Sequence, residues 1–215
     1  DGEYKTIVAP KSDELGNYVE KLAERSEIIR NGCDPRIDNM LLVTNDGRKA
    51  ALDLRIIDPN MPDLPNSKIN MAVENIYKIW LENKEDKLTQ LVFCDLSTPK
   101  GDGTFNVYDD IKNKLIERGI PSSEIEFIHN AKTNPQKLKL FEDMRNGTKR
   151  ILIGSTSKMG AGMNVQDKLI ALHHLDCPWR PSDIEQREGR ILRQGNQNKE
   201  VDMLLKVVLM HTLIN

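Results

Sequence analysis

The chain has 215 residues, of which 38% are hydrophobic and 30% are charged, so it can bury a sizeable core under a well-solvated surface. Its 31 basic and 33 acidic residues give a formal net charge of -2, which excludes a globally polycationic nucleic-acid coat but allows a local basic face. No stretch approaches the roughly 20 apolar residues that span a bilayer, and the N-terminus has no basic start followed by an apolar run. We therefore expect a cytoplasmic protein with no membrane partner. The three cysteines are widely spaced and form no CxxC pair, which argues against a disulfide scaffold or a zinc ribbon.

The first part of the chain is predicted to be helical and polar. Apolar residues recur at helical spacing over 13–30, and residues 38–57 are a second, largely helical piece. Three prolines within 58–65 mark a linker, and an amphipathic helix follows over 69–81. We therefore predict that residues 1–85 are a helical extension or linker without a core of their own.

From residue 88 onward, short apolar runs alternate with helical patterns. The predicted strands are 91–96, 124–129, 150–155, 169–176 and 201–210. The predicted helices are 108–118, 135–146 and 181 to about 192. Because each strand is apolar on both faces, we predict an α/β domain over 86–215, with a parallel sheet covered by helices on both faces.

The loop after the third predicted strand is the first candidate site, since ligands collect at the carboxyl ends of parallel strands. Residues 155–166 read STSKMGAGMNVQ, in which glycines allow backbone amides to approach a phosphate. The hydroxyls of Ser155, Thr156 and Ser157 can donate to anionic oxygens. A tight turn without a ligand is the alternative interpretation of this pattern.

The second candidate site lies on the helix that Pro181 opens. Gln186, Arg190 and Arg193 are spaced i, i+4 and i+7, so we expect them to share one helix face. Two planar guanidinium groups beside an amide suit a polyphosphate. The alternative is a solvated basic face that Glu185 and Glu188 neutralise.

Two weaker patterns favour ordinary structure over function. The stretch 133–150 carries five basic residues and could follow a nucleic-acid backbone, but a solvated helix explains it equally well. His173 and His174 point to opposite faces of a predicted strand, so they cannot chelate one metal together, even with Cys177 nearby.

Taken in order, these segments resemble the second RecA-like lobe of superfamily-two helicases, specifically the Swi/Snf branch of DNA-dependent ATPases. The resemblance covers about residues 88–200 and rests on GAGMNVQ, on the Pro-Trp-Arg-Pro turn and on QREGRILRQG. The segment NDGRKAALD at 45–53 is similar to a narrower group in phages and mobile elements, in which an adenine-specific DNA methyltransferase is joined to a helicase. Arg180 and Gln194-Gly195-Asn196 depart from the usual residues of the branch.

This resemblance implies a role for each part of the nucleotide site. Arg190 and Arg193 would be arginine fingers that offset the negative charge of the phosphoryl group of ATP during its transfer. The residues that would bind the nucleotide or couple it to the DNA are Gln186, Gly160, Gly162 and Asn164. Ser155, Thr156 and Lys158 would bind the DNA backbone.

The sequence contains no Gly-x-x-x-x-Gly-Lys-Ser/Thr phosphate loop and no strand-borne Asp-Glu pair for magnesium. In the family that it resembles, these parts belong to a preceding N-terminal lobe. We therefore predict half of an ATPase site. The chain itself would hold no metal, and the missing lobe would hold the Mg²⁺ that accompanies ATP.

The resulting hypothesis is the C-terminal motor lobe of a DNA-dependent ATPase or helicase, cut from a longer polypeptide and inactive when alone. Its partners would be DNA, the N-terminal RecA-like lobe and a methyltransferase domain of the same polypeptide. A non-catalytic RecA-like interaction module and an RNA motor are the rival hypotheses.

Overall fold

A computed structural model of the chain describes residues 2–159, 163–192 and 194–208. The strands in this part of the chain are β1 (Gly2–Ala9), β2 (Thr89–Phe93), β3 (Ile125–Phe127), β4 (Ile151–Gly154), β5 (Leu169–His174) and β6 (Val201–Val208). The α-helices are α1 (Asp13–Arg30), α2 (Met40–Leu52), α3 (Lys68–Glu82), α4 (Val107–Glu117), α5 (Asn134–Asn146), α6 (Thr156–Met159) and α7 (Pro181–Glu188). No helix among the described residues is both long enough and apolar enough to cross a bilayer.

The strands form one six-stranded sheet in the order β1-β6-β5-β2-β4-β3, and every pair is parallel. The central strand β2 is buried at all five positions, as a strand covered on both faces must be. This confirms the predicted α/β fold with a RecA-like parallel sheet.

Side chains of alternate strand residues fill two separate cores, because successive residues of a strand point to opposite faces. On one face, Val92 and Ile153 pack in a cluster with residues of α3 and α4. On the other face, Leu91 and Leu152 pack in a cluster with residues of α5. Helices therefore cover both faces of the sheet, and the carboxyl ends of its strands are left for loops.

The N-terminal part departs from the predicted helical extension in one respect. Residues 2–9 form β1, which pairs with β6 over its full length and makes one edge of the sheet. The sequence pattern does not reveal this strand, because all of its residues except Ala9 are partly or fully exposed and Glu3 and Lys5 interrupt its apolar residues. The expected helices at 13–30 and 69–81 are confirmed, while the boundary at residue 85 stays a prediction.

Helix α7 is shorter than predicted. It begins at Pro181, as expected, but ends at Glu188, with Gly189 as its C-cap, instead of continuing to about residue 192. Gly189 has a right-handed φ of -59°, so α7 does not end in the left-handed glycine that commonly closes helices. Arg190 therefore lies in the turn after α7 and not on the helix itself.

Candidate functional site

The carboxyl ends of β2, β4 and β5 lie side by side, because these three strands are neighbours and parallel. Asp95 follows β2, Thr156 follows β4 and Asp176 follows β5. Each is a polar residue placed just beyond a buried strand, at the edge where open parallel sheets bind their ligands.

Arg187 of α7 joins these three strand ends. Its side chain is buried, and Nη2 donates to Asp95 Oδ2 at 2.7 Å and to Asp176 Oδ1 at 3.1 Å. Its Nε donates to Thr156 Oγ1 at 2.7 Å, and Nη1 donates to the Asp176 carbonyl at 3.0 Å. Nη1 also lies 3.3 Å from His174 Nδ1. The guanidinium thus contacts the ends of β2, β4 and β5 at once.

The partners of Arg187 also bind one another. Asp95 accepts from the Thr156 amide at 2.6 Å and from the Thr156 hydroxyl at 2.8 Å. Asp176 accepts from the backbone amides of Asp95 and Leu96. We call Asp95, Thr156, Asp176 and Arg187 the buried polar cluster. Its members close the loops after β2 and β4 against each other.

The residues expected to bind DNA differ in their exposure. Ser155 and Thr156 are buried, and the Thr156 hydroxyl is engaged inside the buried polar cluster. Lys158 is exposed, two residues further on. Burial, with a smaller contribution from the nearby Lys158 ammonium, lowers the pKa of His129.

The glycine-rich loop is described only in part. Gly160 and Gly162 lie outside the described residues, as does Arg193. Asn164 is exposed, and its carbonyl accepts from Arg145 Nη1 at 2.7 Å. Arg145 on α5 therefore holds the end of this loop, a role that the sequence pattern did not indicate.

Two of the expected nucleotide-site residues, Gln186 and Arg190, lie at the end of α7. Gln186 is exposed, and Arg190 follows the helix with its amide 3.2 Å from the Arg187 carbonyl. Glu188, considered above as a neutralising partner, accepts from the Tyr4 hydroxyl at 2.9 Å and lies 3.6 Å from His174 Nε2.

The segment after Arg193 is fixed to the start of β5. Asn196 Nδ2 donates to the Leu169 carbonyl at 2.9 Å and to the Ile191 carbonyl at 3.2 Å. Gln166 Nε2 lies 3.3 Å from the Gln194 carbonyl. The residues Gln194-Gly195-Asn196, which differ from the usual Swi/Snf pattern, are thus held in place by hydrogen bonds of their own.

The weaker patterns have structural partners. In the stretch 133–150, Lys139 pairs with Asp143, Lys149 pairs with Glu126, and Arg150 is buried. The solvated-helix interpretation of that stretch is therefore favoured. Within the described ranges, no group of three or more His, Cys, Asp or Glu residues is arranged to hold a metal ion.

Sequence reasoning passed over Arg187, Asp95 and Asp176. A signal for the two aspartates was present, since each lies at the end of a predicted strand, 91–96 or 169–176. Arg187 gave no such signal, because an arginine in a polar helix usually faces solvent.

A profile of the helicase conserved C-terminal domain matches residues 68–195, which is more than half of the chain. The chain belongs to this family. Within this helicase C-terminal domain, the match includes the whole buried polar cluster and ends at Gly195.

A solved structure supports the fold. The domain is similar to the crystal structure of the C-terminal part of the Fun30 ATPase domain, with a TM-score of 0.62 and 14% identity, over 96% of this chain and 85% of that one. At this identity the likeness shows the fold alone.

Two longer chains match with lower TM-scores. The DUF1998 helicase MrfA, solved bound to DNA, gives a TM-score of 0.46 and 13% identity over 64% of this chain. Mss116p, solved with ssRNA and AMP-PNP, gives a TM-score of 0.49 and 21% identity over 66% of this chain. The domain spans 18% of the MrfA chain and 25% of the Mss116p chain. No curated protein matches the sequence.

Proposed function

We propose that this helicase C-terminal domain is the second motor lobe of a DNA-dependent ATPase of the Swi/Snf branch of superfamily two, and that it works within a longer methyltransferase–helicase polypeptide. One observation carries the proposal. Arg187 holds the end of α7, and with it Arg190, at the edge of the sheet where Ser155 and Thr156 begin the glycine-rich loop. A nucleotide contact and a nucleic-acid contact can therefore be made by one rigid body.

The donor types that the sequence brings together at Gln186, Arg190 and Arg193 suit the phosphates of ATP. Gln186 offers an amide, and Arg190 and Arg193 offer guanidinium groups, which donate to phosphate oxygens in a planar fork. The chain has no phosphate loop, so the cradle for the phosphates and the Mg²⁺ would come from the preceding lobe. When bound, ATP with Mg²⁺ supplies the phosphoryl group whose transfer separates the two lobes.

In this mechanism the chain contributes charge and position. Arg190 and Arg193 place positive charge where negative charge develops on the transferred group, which lowers the barrier without a proton transfer. On the nucleic-acid side, the exposed Lys158 ammonium contacts DNA phosphates, whereas the Thr156 amide and hydroxyl are already bound to Asp95 and support this corner from behind. Gly160, Gly162 and Asn164 lie between these two regions in the sequence and would link them.

The test compares ATP hydrolysis by the chain alone with hydrolysis by the chain fused to its preceding lobe, with and without duplex DNA. We expect activity only in the fused form, stimulated by DNA and lowered about 10³-fold or more by Arg190→Ala, as for arginine fingers in general. Arg36→Ala, on a side chain that is 90% exposed, serves as the matched control.

A fused form that stays inactive with DNA would overturn the motor proposal and support the non-catalytic interaction module. DNA-independent turnover by the isolated chain, well above a buffer control, would contradict the split site. Competition between matched single- and double-stranded DNA and RNA decides between a DNA motor and an RNA motor.

A further inference from the structure

We propose that Arg187 is a positioning residue, which fixes α7 and the turn that carries Arg190 relative to the loops after β2 and β4. The inference rests on the proposed function, since it concerns the same ATP site, but it assigns a residue outside the arginine pair. It also predicts that a planar guanidinium, and not merely a positive charge, is needed at this position.

The first argument is the anchoring of α7. Most surface helices are held by an apolar stripe along one face. Among the eight residues of α7, Arg187 is the buried one, and the N-cap Arg180 makes no side-chain capping hydrogen bond. Glu188 at the end of α7 contacts Tyr4 and His174, but the buried hydrogen bonds that join α7 to the strand ends come from Arg187, and they are directional.

The second argument is that the Arg187 guanidinium makes as many contacts as it has N–H donors. A guanidinium has five N–H donors, one on Nε and two on each terminal nitrogen. The five contacts of Arg187 described above match this number, with one at Nε and two at each terminal nitrogen. Phe93 lies against the guanidinium, 5.1 Å from its carbon to the ring centroid. A lysine ammonium has three donors in a different geometry and cannot reproduce this set.

The third argument concerns the segments that the Arg187 side chain and backbone connect. Asp95 and Thr156 begin the loops on the expected nucleic-acid side, while the Arg187 carbonyl accepts the amide of Arg190 on the expected nucleotide side. A displacement of about 1 Å in a catalytic group can slow a reaction by about 100-fold. Loosening Arg187 should therefore misplace Arg190 without removing any group that contacts ATP.

The test uses Arg187→Lys in the fused polypeptide, with Arg36→Lys as the matched control on an exposed arginine. We expect kcat for DNA-stimulated ATP hydrolysis to fall about 10- to 100-fold. The KM for ATP and the Kd for DNA should stay within about threefold, since the lost interaction matters in the transition state. Combining Arg187→Lys with Asp95→Asn should add little further loss, because both changes break the same contact.

A second readout does not depend on activity. Hydrogen exchange in the same fused polypeptide should rise at the amides of Asp95, Leu96, Thr156, Arg190 and Ile191, and should be unchanged in the sheet at Gln90. A structural ion pair would instead lower the melting temperature and leave kcat per folded molecule unchanged, which would overturn the proposal.

If the fused wild type shows no DNA-stimulated hydrolysis, the proposed function is wrong, but this result alone does not decide the positioning role of Arg187. The exchange pattern then still decides the positioning role. A local increase at those five amides supports it, and unchanged exchange at them overturns it.

Discussion

Buried arginines in this domain are tolerated because hydrogen-bond acceptors and carboxylates surround their guanidinium groups. Arg150 donates to the carbonyls of Trp80, Asn83 and Leu88, and so ties the end of α3 to the approach of β2. Arg55 pairs with the carboxylates of Asp53, Asp63 and Asp110. A buried charge costs several kcal/mol unless hydrogen bonds compensate it. Each of these guanidinium groups therefore links segments that are far apart in the chain.

Lys68 is the exception among the buried cations. Its side chain is buried at the start of α3, and its Nζ donates to the Leu175 carbonyl at the long distance of 3.4 Å. Burial lowers the pKa of Lys68 to about 8, although the nearby carboxylate of Asp176 opposes the shift. The folded protein therefore carries a lysine whose charged form is poorly compensated.

We predict that Lys68 makes stability rise with pH. Its folded pKa of about 8 lies below the ordinary lysine value of 10.5, so between these pH values the unfolded chain binds more protons. Relative to Lys68→Met, the wild type should gain about 3 kcal/mol of unfolding free energy as pH rises through this window. Below pH 8 the charged form is buried, and the comparison should favour the methionine variant.

Urea denaturation from pH 7 to pH 10.5 measures this effect. Lys78→Met on the exposed side of α3 is the control, and its unfolding free energy should stay parallel to that of the wild type. Parallel curves for Lys68→Met as well would show that Lys68 does not titrate in this range.

At the scale of elements, the sequence predicts those strands correctly whose apolar residues are also buried in the structure. Strands β2 to β6 are short apolar runs, so their apolar composition indicates them directly. Strand β1 lies at the edge of the sheet, and only Ala9 among its residues is buried, so it lacks that pattern. The predicted length of α7 was wrong, because a glycine inside a helical pattern can either continue the helix or end it.

Helix α5 provides a test of a helix end. It begins with a capping box between Thr133 and Gln136 and ends at Gly147, whose φ is 79°. A Cβ at Gly147 would lie 2.7 Å from the Lys87 carbonyl oxygen and 2.8 Å from the Lys87 Cβ. The turn before β2 and the end of α5 therefore meet at a point where only glycine fits.

We predict that Gly147→Ala destabilises the domain more than Gly119→Ala. Gly119 follows α4 with a φ of 100°, and a Cβ there would meet nothing within 4 Å. Gly119→Ala should therefore cost only the strain of the left-handed conformation, about 1 to 2 kcal/mol. Gly147→Ala should cost about 1 to 3 kcal/mol more, because backbone must also move. Equal losses in urea denaturation at pH 7 would contradict the steric argument.

At the scale of the whole molecule, the candidate site is assembled from distant parts of the chain. The edge of the sheet could be foreseen, because loops follow parallel strands there. The partners of Arg187 could not, since Asp95 is 92 residues away and Thr156 is 31 residues away. The roles of Gly160, Gly162 and Arg193 stay predictions.

The two sides of residue 85 share one hydrophobic core. Leu52 and the buried face of α3 belong to the same cluster as Ile125 and Ile153 of the sheet. Polar contacts cross the boundary as well, since Arg55 Nη2 lies 3.0 Å from Asp110 and Arg150 binds the end of α3. In packing terms, α3 is a covering helix of the sheet, and the family match likewise begins at Lys68.

We therefore predict that residues 86–215 alone do not fold cooperatively. Removing α3 would expose the sheet face that carries Val92 and Ile153, and a domain that loses one covering layer loses its main source of stability. The truncated chain should bind a hydrophobic dye and lack near-ultraviolet circular dichroism, as partly collapsed states do. The control is a chain without residues 1–9, which loses an edge strand but keeps both cores and should still unfold in one transition. A 86–215 chain that unfolds as sharply and as late in urea as the full chain would make residue 85 a true domain boundary.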